Sequence, residues 1–164
     1  GFLLNALSGA AKSVLAVDSS QGALELNRQN LALNRYCDNT VEWLEGDVFQ
    51  ALRSFRDQRR MFDLIILDPP KLAPTISQVE RATRAYKDIN LFALKLLRPE
   101  GILFTFSCSG GISMELFQKI LAGAAEDAGV EAQIIERLYQ DIDHPIALNF
   151  PEGAYLKGLV IRKL

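Results

Sequence analysis

Alternating apolar strands and amphipathic helices predict an α/β fold for this chain of 164 residues, a doubly wound, mostly parallel sheet with helices on both faces. Short apolar runs that end in Asp or Ser alternate with segments whose apolar residues recur at helical spacing. The last two strands have no helix between them, so we expect an antiparallel hairpin at one edge of the sheet. The chain is predicted to be one domain, 1–164, which binds ligands at the carboxyl ends of its strands.

The predicted strands are short apolar runs of the kind that a covered parallel sheet buries. They span residues 14–18, 41–44, 62–68, 101–107, 132–139 and 156–163. The third strand ends firmly, because Asp68 is followed by two prolines that have no N–H to donate to a sheet.

Helices are predicted between these strands wherever apolar residues recur at intervals of three and four. They span residues 22–34, 48–55, 79–98 and 114–128. Ser20, Asp47 and Ser113 precede three of them and are expected to be N-caps, because their side-chain oxygens can accept from first-turn amides. Gly129 marks the end of the last helix.

The composition is that of an ordinary globular protein, with 49% hydrophobic and 23% charged residues. It excludes a disordered tail, a collagen-like fibre and a disulfide scaffold. The net charge of −2 argues against a strongly basic nucleic-acid clamp. Any RNA partner is therefore expected to be held by a local patch or by another part of the protein.

Cysteine content and hydropathy indicate a cytoplasmic protein. The two cysteines are too few for a disulfide framework and fit a reducing compartment. The apolar runs are too short to span a bilayer, and no signal peptide opens the chain. Because the chain starts at Gly1 without a Met, we expect it to be a fragment of a longer protein.

Two acidic residues end the first two predicted strands. Asp18 can accept both hydroxyl hydrogens of a ribose, because a carboxylate has two acceptor oxygens. Asp47 follows Gly46 and can bond an adenine amino group while Val48 packs on the ring. The alternative is that Asp18 is a turn residue and that Asp47 only caps the next helix. For Asp47 taken alone, that alternative is favoured.

The segment Asp68-Pro69-Pro70-Lys71 is more specific. Its two prolines fix the backbone and leave rigid carbonyls that suit the recognition of a planar base. A stiff strand end is the alternative, but five apolar residues before it rarely need such a stop. Lys71 adds a cation for a phosphate or a base, or is a solvated loop charge.

Cys108 stands between a buried strand and a helix in Ser107-Cys108-Ser109-Gly110-Gly111. A thiol in that position faces the expected ligand cleft, and helix N-termini favour its reactive thiolate form. The alternative is a small buried apolar residue. After the Asp-Pro-Pro strand we favour a nucleophile. Cys37 lies in a helix-to-strand loop and is expected to be inert.

His144 is the only histidine of the chain. It could belong to a proton relay or a substrate-contact loop, but a turn histidine is favoured. The sequence offers no companion residues at metal-ligand spacing, so no metal is predicted.

Together these segments resemble class I S-adenosylmethionine-dependent methyltransferases, and among them the bacterial 23S ribosomal RNA cytosine-5 methyltransferases. The most specific part of the resemblance is the pair Asp-Pro-Pro-Lys and Ser-Cys-Ser-Gly. The segments that carry it are Val17-Asp18-Ser19-Ser20, Glu45-Gly46-Asp47-Val48, Asp68-Pro69-Pro70-Lys71, Phe106-Ser107-Cys108-Ser109-Gly110, Asp143-His144-Pro145, Phe150-Pro151-Glu152-Gly153 and Tyr155-Leu156-Lys157-Gly158-Leu159.

The resemblance implies a Rossmann-like methyltransferase sheet, S-adenosylmethionine as cofactor and a role for each matching residue. Cys108 is then the nucleophile, and Asp68 borders both the methyl donor and the target base. The family's Gly-rich turn is represented only by its tail at Gly1, and the sheet's first strand is missing. The implied cofactor-binding residues are Gly1, Asp18, Ser19, Asp47, Val48 and Asp68, and the implied substrate-binding residues are Pro69, Pro70 and Lys71.

The resemblance also implies a partner, 23S ribosomal RNA, held mainly by N-terminal modules that the family carries, and a possible homodimer. Two other readings stay open. One is methylation of a guanine or of an exocyclic amine, which needs no Cys108. The other is a cofactor-binding module without chemistry, which fits the acidic charge.

Overall fold

Helices and strands alternate along the computed structural model, which describes residues 2–9, 11–36, 40–73 and 75–164. The helices are α1 (Phe2–Ser8), α2 (Gln21–Leu33), α3 (Val48–Asp57), α4 (Val79–Leu96) and α5 (Met114–Ala128). The strands are β1 (Val14–Asp18), β2 (Val41–Glu45), β3 (Phe62–Leu67), β4 (Leu97–Ser107), β5 (Ala132–Leu138) and β6 (Lys157–Lys163). The chain divides into two compact units, Gly1–Ser54 and Phe55–Leu164.

In the unit Gly1–Ser54, β1 and β2 pair in parallel from Val14↔Val41 to Asp18↔Glu45. Leu7, Leu31 and Val41 form its buried apolar cluster. Leu7 belongs to α1, a helix that the sequence analysis did not predict. The parallel register places the carboxyl ends of β1 and β2 side by side.

In the unit Phe55–Leu164, the four strands lie in the order β3-β4-β6-β5. Strands β3 and β4 are parallel, whereas β6 is antiparallel to both β4 and β5. The predicted antiparallel pairing of the last two strands is therefore confirmed. The last strand in sequence lies inside the sheet, and β5 takes the edge.

The core of this unit is made by α4 and α5 packed with the inner faces of β4 and β6. Tyr86 of α4 and Phe117 of α5 are fully buried and meet edge to face, with ring centroids 5.6 Å apart. Leu103 of β4 and Leu159 of β6 are also fully buried. This packing fixes β4 and α5, the two elements that the loop after β4 connects.

The helix ends match the residues expected from the sequence. Ser20 and Ser113 accept hydrogen bonds from Ala23 N and Leu116 N, so both are N-caps. Gly129 takes the left-handed conformation, with φ 66°, at the end of α5.

Strand β4 starts earlier than predicted, at Leu97 and not at Gly101, and α4 ends at Leu96 and not near Arg98. Phe62 pairs with Leu97, and after a register shift Leu64 pairs with Ile102. The shift absorbs extra residues, among them Glu100 with φ 64°. The sequence reads as a turn there because Pro and Gly flank Glu100.

None of the described helices combines the length and the apolar character needed to cross a bilayer.

Gly158 is expected to tolerate no side chain. A Cβ there would lie 2.7 Å from the Phe106 ring and 2.9 Å from Leu138 Cβ. We expect Gly158→Ala to lower the free energy of unfolding by about 1–3 kcal/mol, because the sheet must shift to make room. Gly123→Ala is the matched control, since its Cβ would meet only Lys87 at 3.5 Å and should raise stability by about 0.5–1 kcal/mol in the helix. Denaturant melts that rank the two variants the other way would contradict the packing.

Candidate functional site

Asp68 and Cys108 follow two adjacent parallel strands. Leu67 of β3 pairs with Thr105 of β4, so the chain leaves both strands at the same edge of the sheet. Neighbouring strands lie about 4.8 Å apart and rise about 3.3 Å per residue, which puts the Cα atoms of Asp68 and Cys108 within roughly 10 Å. Both residues can therefore reach one small ligand.

Two buried serines hold the backbone on either side of Cys108. Ser107 and Ser109 are fully buried, whereas Cys108 is half-buried. The Ser107 hydroxyl donates to the Tyr86 hydroxyl (3.0 Å), which shares a second hydrogen bond with the Ser109 hydroxyl (3.2 Å). Tyr86 thus anchors the residues on both sides of Cys108.

The Ser-Cys-Ser-Gly loop is also tied to the segment after Pro70. Ala73 N donates to the Ser109 hydroxyl at 3.0 Å. The Ser109 carbonyl accepts from Ile112 N at 3.1 Å and from Lys157 Nζ at 2.7 Å. Ser109 therefore joins the two loops that the sequence analysis marked as most specific.

The carboxylate of Asp68 has no hydrogen-bond or ion-pair partner among the described residues. Although the residue is exposed, neighbouring protein atoms partly desolvate the carboxylate and raise its pKa. Pro69 is half-buried, and Pro70 and Lys71 are exposed. A carboxyl that holds its proton more readily than usual can donate to a ring nitrogen of a ligand.

Lys157, the first residue of β6, is 7% exposed. Burial lowers its pKa, the charge of the Cys108 sulfur raises it, and the Lys71 ammonium lowers it. Lys157 therefore lies within electrostatic reach of Cys108 and of the Asp-Pro-Pro-Lys loop.

A cavity of about 370 Å³ opens beside the Ser-Cys-Ser-Gly loop. Its wall includes Gly110, Ile112, Tyr139, Ile146 and Lys157. A Cβ on Gly110 would meet no atom within 4 Å, so a ligand can approach the backbone there. The volume is within the range of small-molecule sites.

In the unit Gly1–Ser54, Asp18 and Asp47 lie at the adjoining carboxyl ends of β1 and β2. Oδ1 of Asp18 accepts from Ser20 N at 2.8 Å, and Oδ1 of Asp47 accepts from Gln50 N at 3.0 Å. The turn and capping roles are therefore present. Each role uses one oxygen of its carboxylate, and among the described residues no partner of either Oδ2 is found.

These ends also leave room for a nucleoside. Gly46 lies between the end of β2 and Asp47, and a Cβ built on it would meet no atom within 4 Å. Gly46 N donates to the carbonyl of Asp18 at 3.0 Å, which holds the two strand ends together. Carboxylate oxygens without a partner among the described residues thus lie near open space at the Gly46 backbone.

The other residues marked for cofactor binding lie around these two. Ser19 is exposed and Val48 is half-buried. Gly1 lies outside the described residues, as does Cys37. The common site of Asp18, Asp47, Asp68 and Cys108 stays a prediction of the sequence analysis.

His144 lies in an exposed turn, where its backbone N–H donates to the Asp141 carbonyl at 2.9 Å. Its Nδ1 lies 3.0 Å from Asp143 Oδ1, and this hydrogen bond lowers the pKa of Asp143. The turn agrees with the favoured interpretation of this residue.

Sequence reasoning did not single out Tyr86 and Lys157. Tyr86 lies in the predicted helix 79–98, where apolar spacing indicates a buried position but no function, although a tyrosine hydroxyl inside a core needs a partner. Lys157 was quoted only within the carboxyl-terminal resemblance. A lysine that opens a buried strand is a signal in itself, because a buried ammonium needs acceptors.

Comparison with known families gives one match over nearly the whole chain. The profile of the family described as S-adenosylmethionine-dependent methyltransferase matches residues 1–162. Two curated relatives bear the name "Ribosomal RNA large subunit methyltransferase I". The chain is 55% identical to the one from Tolumonas auensis over all of its length, and 50% identical to the one from Cronobacter sakazakii over 96% of it.

The chain spans about two fifths of these relatives, 41% and 40% of their lengths. Among solved structures, a putative SAM-dependent methyltransferase from Streptococcus mutans matches with a TM-score of 0.84 at 19% identity. The match covers 98% of this chain and 41% of that one. It confirms the predicted α/β, Rossmann-like methyltransferase fold.

The raised pKa of Asp68 predicts how the free energy of unfolding changes with pH. A folded chain that holds this proton more tightly than the unfolded chain loses stability as the pH rises through the raised pKa. We expect Asp68→Asn to raise the free energy of unfolding slightly at neutral pH, by an amount that solvent screening keeps small. The gain should vanish as the pH falls toward 3.8, the ordinary value.

The control for this prediction is Asp63→Asn on the same strand. Asp63 accepts from Arg98 at 2.7 and 2.8 Å, so its loss should bring no gain. Denaturant melts across the acid range measure both variants. If Asp68→Asn were less stable than the wild type at neutral pH, the ionised carboxylate of Asp68 would not destabilise the folded protein, and the prediction would be wrong.

Proposed function

The chain belongs to the S-adenosylmethionine-dependent methyltransferases, and from that premise we propose that the protein methylates carbon 5 of a cytosine in 23S ribosomal RNA. The observation that carries this proposal is the half-buried Cys108, held between two buried serines on the strand next to Asp68. A nucleophile of this kind is needed for carbon 5 and for neither rival, a guanine or an exocyclic amine. The printed name of the relatives supports a ribosomal RNA of the large subunit.

The cofactor's residues lie at the ends of β1 and β2. Oδ2 of Asp18 accepts from the ribose hydroxyls, with Ser19 beside it. Asp47 accepts from the adenine amino group, and Val48 packs on the ring. By the resemblance, Gly1 matches the tail of the family's Gly-rich turn and is assigned to the cofactor in this proposal. Bound there, S-adenosylmethionine supplies an electrophilic methyl group.

Cys108 starts the reaction by attacking carbon 6 of the cytosine as a thiolate. A sulfur–carbon bond forms at carbon 6, and the electron pair of the 5,6 double bond moves to carbon 5. Carbon 5 is then nucleophilic and would bond to the methyl group, while the methyl–sulfur bond of the cofactor would break and leave its electron pair on the sulfur. A base removes the carbon-5 proton, the double bond re-forms and the thiolate leaves, so that the enzyme returns to its first state.

Asp68 stabilises the ring while the thiolate adds. Negative charge moves onto the base during the attack, and a carboxyl with a raised pKa can share its proton with the ring nitrogen edge. The Pro69 carbonyl is a fixed acceptor for the same edge, with Pro70 behind it. Lys71 is exposed and can meet a phosphate of the RNA.

A base in a folded RNA must leave its stack to reach Cys108. With a net charge of −2, this chain supplies little of the general attraction to RNA. N-terminal RNA-binding modules of the kind that the resemblance implies would supply the rest. A homodimer and a cytoplasmic location belong to the same proposal.

Replacement of the thiol should stop the chemistry and spare cofactor binding. We expect Cys108→Ala to abolish methyl transfer to 23S ribosomal RNA while the affinity for S-adenosylmethionine stays within about twofold, because the sulfur acts on the base. Cys37→Ala is the control and should keep near-normal activity. Transfer of labelled methyl groups and calorimetry measure the two quantities. Full activity in Cys108→Ala would favour a guanine or an exocyclic amine as target.

The covalent step can be trapped with the same RNA carrying 5-fluorocytosine at the target. Fluorine cannot leave as a proton does, so elimination stalls after methylation. Mass spectrometry should place the adduct on the peptide that contains Phe106–Ser109. An adduct on Cys37 would contradict the assignment.

Asp18 is expected to serve the cofactor and not the RNA. We expect Asp18→Ala to weaken cofactor binding by about 1.5–3 kcal/mol, because the ribose loses charge-assisted hydrogen bonds. The affinity for RNA should change far less. Asp18→Asn is the comparison, since its amide oxygen can still accept from Ser20 N. Calorimetry that finds unchanged cofactor affinity in Asp18→Ala would remove this residue from the site.

A further inference from the structure

Lys157 is a buried cation bound to two backbone carbonyls. Its Nζ donates to the Ser109 carbonyl at 2.7 Å and to the Tyr155 carbonyl at 2.6 Å. The residue is only 7% exposed. An ammonium leaves water only where acceptors replace it, so this side chain has a single preferred position.

The position of Lys157 in the sheet brings it next to the proposed nucleophile. Lys157 pairs with Ser107 in the antiparallel ladder between β4 and β6. Ser107 directly precedes Cys108, and the carbonyl that Lys157 binds belongs to Ser109, which directly follows it. Lys157 is therefore bound to the residues on both sides of Cys108.

Lys163, at the other end of β6, shows which of these features is special. Its Nζ also donates to two carbonyls, those of Leu94 and Leu97, at 3.1 and 2.7 Å. Burial lowers its pKa as it does that of Lys157. Lys157 alone of this pair also has an electrostatic interaction with Cys108.

Several charged or titratable groups face Lys157 from the elements around it. They are Cys108 in the loop after β4, Lys71 in the loop after β3, Tyr86 of α4 through Ser109, and Glu115 of α5 in the wall of the same cavity. Lys71 repels the ammonium, and the negative sulfur attracts it. The attraction is mutual, so the ammonium also favours negative charge on the sulfur.

We propose that Lys157 is a positioning residue for Cys108: its buried ammonium holds the Ser109 carbonyl, keeps the sulfur in place and stabilises the thiolate. This proposal rests on the proposed function, in which Cys108 attacks the base. Ile112 N already donates to the Ser109 carbonyl at 3.1 Å, so the second, charged donor is not needed to satisfy that oxygen. What Lys157 adds is charge at the turn that carries the thiol.

The test measures the thiol and not the methyl transfer. The intact protein is treated with iodoacetamide, and alkylation of the peptide containing Phe106–Ser109 is followed by mass spectrometry. Wild type, Lys157→Met and the control Lys163→Met are compared at about pH 7, where free thiols are mostly protonated, and at about pH 10, where they are ionised. Circular dichroism verifies that each variant is folded.

We expect Lys157→Met to react about tenfold more slowly near pH 7, because fewer thiolates are present without the cation. The difference should close near pH 10. Lys163→Met should react like the wild type at both values. The proposal is overturned if Lys157→Met reacts as fast as the wild type at both pH values. It is also overturned if the variant is slowed by the same factor at both, since a loosened loop alone has no such pH dependence.

Failure of this proposal is distinguishable from failure of the proposed function. Unchanged alkylation in Lys157→Met, with methyl transfer lost in Cys108→Ala, overturns only the role of Lys157. Should Lys157→Met not fold, Lys157→Gln takes its place, because its amide can still donate to a backbone carbonyl but carries no charge. Alkylation of Lys157→Gln that matches the wild type near pH 7 would overturn the proposal.

Discussion

The hydrogen bonds of Ser109 join four separate segments of the unit Phe55–Leu164. Its hydroxyl accepts from Ala73 N and shares a bond with Tyr86, and its carbonyl accepts from Ile112 N and Lys157. The residue is fully buried, so these partners take the place of water at its hydroxyl and its carbonyl. The loop that carries the thiol therefore has one low-energy conformation.

This arrangement separates a fixed, buried side of the site from an open one. On the buried side lie the serines, the tyrosine and the ammonium of Lys157. On the open side lie Asp68, Lys71 and Gly110, all exposed. A reactive group has to be held in place and yet be reachable, and the half-buried Cys108 between the two sides meets both needs.

The unit Gly1–Ser54 shows an economical use of carboxylates. Asp18 and Asp47 each give one oxygen to a backbone amide, which sets the turn after β1 and the start of α3. The second oxygen has no partner among the described residues. One carboxylate can therefore both hold a turn or helix end and bind a ligand. The two alternatives that the sequence offers for Asp18 and Asp47 do not exclude each other.

The sequence by itself determined the alternation of strands and helices, the N-caps Ser20 and Ser113, and the antiparallel last pair, because periodicity and capping are local. It also marked Asp68 and Cys108 by type and spacing. The position of β6 inside the sheet, and with it the hydrogen bond from Lys157 to the Ser109 carbonyl, emerged only in the folded structure. Strand order and the partners of buried polar groups depend on residues far apart in the chain, 48 positions for Lys157 and Ser109, and no local pattern encodes them.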